Sequence, residues 1–239
     1  TFIHESDMTP GLANKISIPF ATKVCCNFPE TVSELPANKA VLTGTPIRQE
    51  LLEGSPERAR EFTGFTSDKP VIMIIGGSLG AAAVNDAVRA VLHELLKNFQ
   101  IIHLCGKGKL DESLKNTKGY VQYEYIKKEL ADLFALADIV ISRAGANAIC
   151  ELSALKKPNL LIPLSARASR GDQILNARSF ERMGYSVVLE EEEITNEKLV
   201  DIINSLYKGR AAYTEAMSKS KLTDSIEEIV QLFEQAVNR

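Results

Sequence analysis

The sequence predicts a doubly wound α/β fold built on a parallel sheet. Two observations carry that reading. Short apolar runs alternate with helix-period segments through almost all of the 239 residues, and such alternation implies βαβ units. In the middle of the chain Val71–Ile75 runs straight into Gly76-Gly77-Ser78-Leu79-Gly80 and then an alanine-rich stretch, which reads as strand, glycine loop and helix. The bulk composition agrees, since 45% hydrophobic and 25% charged residues make an ordinary globular balance. A net charge of −3 disfavours a nucleic-acid partner. No apolar run approaches the roughly 20 residues that span a bilayer, and no signal-peptide pattern is seen, so peripheral contact is the membrane association left open. Cys25, Cys26, Cys105 and Cys150 show no metal-ligand spacing and read as reduced, buried thiols.

Taken in order, strands are expected at Val24–Asn27, Lys39–Thr43, Val71–Ile75, Ile101–Cys105, Tyr120–Tyr123, Ile139–Ser142, Leu160–Leu164 and Ser186–Leu189. Most are too short for helices and are bounded by Gly, Pro or polar residues. Ala82–Lys97 places Val84, Val88, Val91, Leu92 and Leu95 on one side and reads as a single helix. Glu129–Ala137, Ala146–Lys156 and Asp172–Met183 are three more, the second of them ending in Lys156-Lys157 before Pro158, a basic stop signal. Glu190–Glu193 reads as a solvated loop. Thr195 is placed to cap a helix carrying Leu199, Ile202, Ile203 and Leu206, and Asp224 with Glu227 resembles a cap before the stripe Ile226, Ile229, Val230, Phe233, Val237. A boundary falls near Thr45–Arg48. Residues 1–45 read as the remnant of one domain, 46–222 as a complete doubly wound domain, and 223–239 as a helix returning toward the first. The abrupt opening "TFIHESDMTPG" reads as the end of a strand whose partners lie upstream of Thr1.

Five stretches are candidate sites. Gly76–Gly80 can bring backbone N–H groups and a helix N-terminus to a phosphate, with Ser78 adding a donor; an empty tight turn is the bland alternative. It is neither a P-loop nor G-x-G-x-x-G. Arg48, in Gly44-Thr45-Pro46-Ile47-Arg48, offers a planar fork to a phosphate or sugar, or is a surface arginine at a helix start. Arg143-Ala144-Gly145-Ala146-Asn147 opens a helix carrying Glu151, whose carboxylate can take ribose hydroxyls or pair with Lys156 or Lys157. Gly171-Asp172-Gln173 with Asn176 suits sugar hydroxyls, or Asp172 simply caps the helix. His4-Glu5-Ser6-Asp7 sets an imidazole beside carboxylates without a third partner, so a polar loop is a strong competitor.

In this order, "HESDMTPGLANK", "GTPIR", "GGSLGAAAVN", "ADIVISRAGANAICE" and "GDQILNA" resemble the MurG family, the UDP-N-acetylglucosamine:undecaprenyl-diphospho-muramoyl-pentapeptide N-acetylglucosaminyltransferases of peptidoglycan synthesis. The resemblance implies a GT-B fold of two Rossmann-like domains. It implies an inverting transfer that makes a β-1,4 bond, with no metal held by a DxD motif and no cofactor. The donor is UDP-GlcNAc, and the acceptor is the lipid-linked muramoyl-pentapeptide. The enzyme would sit peripherally on the cytoplasmic face of the plasma membrane through its N-terminal domain. Carried over, Gly77, Ser78, Leu79 and Gly80 would hold the diphosphate and Arg48 would approach it or the donor sugar. Ile126, just after Tyr125, would receive uracil, Glu151 the ribose, and Gln173 with Asp172 the GlcNAc hydroxyls, Ala146 opening the helix between them. His4, Glu5 and Ser6 would face the cleft. The family commonly has two glutamines where this chain has Asp172-Gln173. Its HxGGTxGH segment, which bears the usual candidate base, has no counterpart in the sequence. The base is therefore expected upstream of Thr1, and the chain is expected to bind donor without turning it over. Other readings are a UDP-GlcNAc 2-epimerase, a glycolipid transferase, and a non-catalytic UDP-sugar subunit completed by a partner chain.

Overall fold

The structure is a computed structural model that describes residues 1–77, 81–167, 171–220 and 225–237. Two parallel sheets organise it. The smaller has strands β1 (Phe2–Glu5), β2 (Lys23–Cys26) and β3 (Ala40–Leu42), paired in the order β1-β2-β3. The larger has β4 (Val71–Ile75), β5 (Gln100–Leu104), β6 (Tyr120–Tyr123), β7 (Ile139–Ser142), β8 (Asn159–Leu161) and β9 (Ser186–Val188). Its order is β6-β5-β4-β7-β8-β9 with every pairing parallel. The chain therefore winds outward from β4 in one direction, then restarts beside β4 and winds the other way. That reversal makes a switch point between β4 and β7, where crevices form beyond the strand ends.

The larger sheet is buried on both faces, which explains its unbroken apolar strands. Successive side chains alternate between faces. Val71 and Met73 join one buried cluster with Ile102, Val140 and Leu161, and Ile72 and Ile74 join the opposite one with Ile101, Ile139, Ile141 and Leu160. Helices α3 (Pro56–Thr63), α6 (Leu130–Leu136), α7 (Ala146–Ala154) and α8 (Asp172–Arg182) supply the first cluster. Helices α4 (Ala82–Ala90), α5 (Leu92–Leu95) and α9 (Asn196–Ser218) supply the second. Each fully buried Ile or Leu contributes about 1.5–3 kcal/mol of transfer free energy. The smaller sheet, flanked by α1 (Leu12–Ser17) and α2 (Pro29–Glu34), has a core of only Ala21, Val24, Cys26 and Leu35 among the described residues.

Three expectations change. The single helix over Ala82–Lys97 is two, because the chain turns at Val91 (φ −108°, ψ 8°), whose N–H bonds Val88 O at 3.2 Å. The run Glu190–Glu193 is solvated only in its second half: Glu192 and Glu193 are exposed, while half-buried Glu190 pairs with Arg178 and Glu191 with Arg143, each at 2.6 Å. Glu192 takes the Ser165 hydroxyl, and Glu193 pairs with Lys198 at 2.7 Å. Lys157 bends away from Glu151 and donates to the carbonyls of Ala135 and Ala137, capping α6. Thr195 caps α9 as expected, accepting from Lys198 N at 3.2 Å. Asp224 lies outside the described residues. The final helix α10 (Ser225–Val237) returns to the small sheet: Ser225 Oγ donates to Thr45 O at 2.7 Å and Phe233 packs against Phe2 in a tilted pair with centroids 4.5 Å apart. No helix among the described residues is long and apolar enough to cross a membrane.

Candidate functional site

A cleft of about 550 Å³ opens at the carboxyl ends of the larger sheet, at the switch point between β4 and β7. Ile75, the last residue of β4, is in register with Leu104 on one side and Ser142 on the other, and all three line the cleft. Gly76 and Gly77 follow at the floor, with Gly77 at φ +79°, a conformation a β-carbon would strain. The loop after β6 brings Tyr125, 64% exposed, and the buried Ile126 to one wall. The start of α7 brings Gly145, Asn147 and Glu151 to the other, and α8 brings Gln173. Arg48 closes over the top from the segment after β3. The amino end of the same sheet carries a larger groove of about 800 Å³, by Phe99, Asp201 and Tyr207, but ligands of doubly wound sheets bind at the carboxyl end.

The structure thus brings together Arg48, Gly77, Tyr125, Ile126, Glu151 and Gln173 from several separate chain segments. Ser78, Leu79 and Gly80 lie outside the described residues. Ala146 is 6% exposed and packs into the core as the first residue of α7, while its neighbours Gly145 and Asn147 face the cleft. Asp172 parts company with Gln173. One step along a helix turns a side chain by roughly 100°, so the two face different ways. Gln173 Oε1 accepts from Leu164 N at 3.0 Å at the cleft, whereas Asp172 Oδ1 accepts the Thr9 hydroxyl at 3.3 Å. Asn176, four residues on and on the same face as Asp172, accepts from Met8 N and donates to Asp7 Oδ1, each at 3.0 Å. That face joins the two sheets.

His4 and Glu5, expected to face the cleft, do not line it. His4 Nε2 donates to Gly44 O at 3.0 Å. Glu5 is 4% exposed, and its carboxylate accepts from Asp7 N at 3.1 Å, Gly11 N at 2.9 Å and Asn14 Nδ2 at 2.8 Å. An acid so engaged organises the loop before α1. Ser6 is likewise in that loop, its carbonyl accepting from Asn27 Nδ2 at 2.9 Å. Thr1 precedes β1 in the small sheet, where its carbonyl accepts from Thr22 N at 2.7 Å.

Charge in the cleft is arranged in pairs. Glu151 Oε1 meets Arg48 Nη2 at 3.0 Å, in place of the expected lysines. Arg143 Nη1 donates to the carbonyls of Ile162 and Pro163, each at 3.1 Å, and pairs with Glu191, which fixes the mouth of β8. Among the described residues no cluster of three or more His, Cys, Asp or Glu is placed to hold a metal ion.

One buried network was missed from the sequence. Asn85, in the first turn of α4, donates through Nδ2 to Cys105 O at 2.9 Å, leaving Oδ1 to face His103 Nε2 at 3.0 Å. Nε2 must therefore carry the proton, and Nδ1 accepts from the Tyr120 hydroxyl at 2.8 Å. Burial, with Arg89 adding to it, pushes the His103 pKa down to about 3, and burial pushes Tyr120 up to about 12. The network ties the start of α4 to β5 and β6 directly behind the glycine turn. A histidine and an asparagine inside apolar runs were its available signals.

Strand order and cleft define the class: a doubly wound parallel α/β unit with a ligand site at its switch point. Residues 71–232 match the glycosyltransferase family 28 C-terminal domain. The chain is 63% identical over 230 residues to the UDP-N-acetylglucosamine–N-acetylmuramyl-(pentapeptide) pyrophosphoryl-undecaprenol N-acetylglucosamine transferase of Lachnospira eligens. It is 62% identical over 233 residues to the protein of the same name in Lachnoclostridium phytofermentans. These matches cover 96% and 98% of the chain but 65% and 66% of the relatives' own lengths. Among solved structures, MurG of Acinetobacter baumannii superposes with a TM-score of 0.75 at 26% identity, over 98% of this chain and 67% of that one. The chain belongs to glycosyltransferase family 28, through its C-terminal domain.

Proposed function

We propose that this chain is the nucleotide-sugar-binding part of an inverting transferase that moves N-acetylglucosamine from UDP-GlcNAc to an undecaprenyl-diphospho-muramoyl-pentapeptide. The observation that carries the reading is the convergence of Arg48, Gly76, Gly77, Ile126, Glu151 and Gln173 in one cleft at the switch point. In this reading, the Ile126 backbone receives uracil beside Tyr125, and Glu151 accepts the two ribose hydroxyls. The glycine turn, with Ser78 to Gly80, receives the diphosphate, neutralised by Arg48. Gln173 is left for the sugar, which makes the sugar contact here a single glutamine. Residues 46–222 form the donor unit, 1–45 belong to the acceptor side, and 223–239 bridge back to it. Because the acceptor is a lipid and the donor is water-soluble, the reaction belongs at the cytoplasmic membrane surface, with peripheral contact. Calorimetric titration with UDP tests the site. The proposal expects saturable one-to-one binding; no heat at millimolar UDP would overturn it.

A further inference from the structure

Arg48 and Glu151 come from distant parts of the chain, one from the segment after β3 and the other from the second turn of α7, yet they meet at 3.0 Å. Their side chains are 54% and 23% exposed, so both are free to exchange partners. Resting on the nucleotide reading above, we propose that Arg48 and the ribose compete for the Glu151 carboxylate, and that this competition makes the cleft select nucleoside diphosphates over nucleosides.

The reasoning is an exchange of partners. Ribose hydroxyls need the Glu151 carboxylate as acceptor, and the Arg48 guanidinium already uses it. A nucleoside that takes Glu151 strands the guanidinium and gives it nothing in return. A nucleoside diphosphate lays phosphate oxygens by Gly76 and Gly77, in the same cleft that Arg48 lines. The guanidinium then passes from one anion to another, and the bidentate geometry that suits a carboxylate suits a phosphate equally. The lost ion pair therefore weighs on the nucleoside alone. Lys157 cannot substitute for Arg48, since it is committed to the carbonyls of Ala135 and Ala137.

Calorimetry with uridine and with UDP, on the wild-type chain and on Arg48→Ala and Arg48→Gln, tests this. Exposed pairs are weak, so the variants should bind uridine about two- to fivefold tighter than wild type. UDP should bind about ten- to a hundredfold more weakly, for loss of a charge-assisted contact. Raising the salt concentration should strengthen uridine binding to wild type by screening the pair, and leave uridine binding to either variant unchanged. If wild type binds UDP but neither variant gains affinity for uridine, or uridine binds none of them measurably, the partner exchange is wrong and the site reading stands. If wild type does not bind UDP, both fall.

Discussion

The two sheets differ in how much core stands behind them. The six-stranded sheet lies between two large buried clusters, while the three-stranded sheet rests on Ala21, Val24, Cys26 and Leu35. Among the described residues lining the cleft, Arg48 alone comes from the segment following the small sheet; the others stand on the large sheet, its loops or its helices. The small sheet is held on by an apolar plug and a polar seam. Phe28 is fully buried against Phe180, with ring centroids 5.9 Å apart, and Asn176, Ser179 and Arg182 on α8 receive Asp7, Met8 and Glu30. The contrast teaches a division of labour. Most of the cleft is built on the well-supported frame, and the charge of Arg48 is supplied from the lightly supported side.

The contrast breaks first, if it is wrong, in the cores. Ile141→Ala in β7 should cost about 2–5 kcal/mol in urea unfolding, whereas Val24→Ala in β2 should cost about 1–2 kcal/mol. Equal losses would mean the small sheet is as well supported as the large one. Next in size is the frame's contribution to binding. Glu151→Ala should weaken uridine and UDP alike, by about 1.5–3 kcal/mol, where loss of Arg48 separates the two ligands. A Glu151→Ala protein that still binds uridine normally would remove the ribose from α7.

The third prediction concerns the network behind the glycine turn. His103 has its folded pKa depressed from 6.5 to about 3 by burial. The unfolded chain therefore takes up a proton before the folded one does. The stability that this neutral histidine contributes is complete above pH 6.5 and is lost as pH falls from there toward 3, by up to about 1.4 kcal/mol per pH unit. His103→Gln should flatten that stretch of the stability profile; an unchanged slope would show that His103 is solvated. The smallest effect belongs to the seam. Ser179→Ala removes the 2.8 Å hydrogen bond to Glu30 and should cost about 1 kcal/mol while leaving UDP affinity unchanged.

Much of the frame was legible in the sequence because strand period, glycine turns and helix caps are local. Val71–Ile75, Tyr120–Tyr123 and Ile139–Ser142 have the expected bounds, and the Thr195 cap forms as read. Helical phase is not local. Nothing in "GDQILNA" tells which side of α8 meets the cleft, so Asp172 and Gln173 were read as a pair when one faces ligand space and the other the Asp7–Thr9 loop. The acidic run was half misread for a related reason: Glu192 and Glu193 are exposed as read, but Glu190 and Glu191 look solvated until Arg178 and Arg143 arrive from elsewhere in the chain. The sequence set a polar loop against a catalytic reading of His4 and Glu5, and Glu5 is consumed by backbone N–H groups six residues or fewer away.

The most direct test of the central claim, that uridine diphosphate binds at the β4–β7 switch point, is an amide chemical-shift titration with UDP. The account predicts saturating shifts centred on Gly76, Gly77, Ile126 and Asn147–Glu151. Shifts centred instead on the groove by Phe99 and Tyr207, or none at saturating UDP, would contradict it.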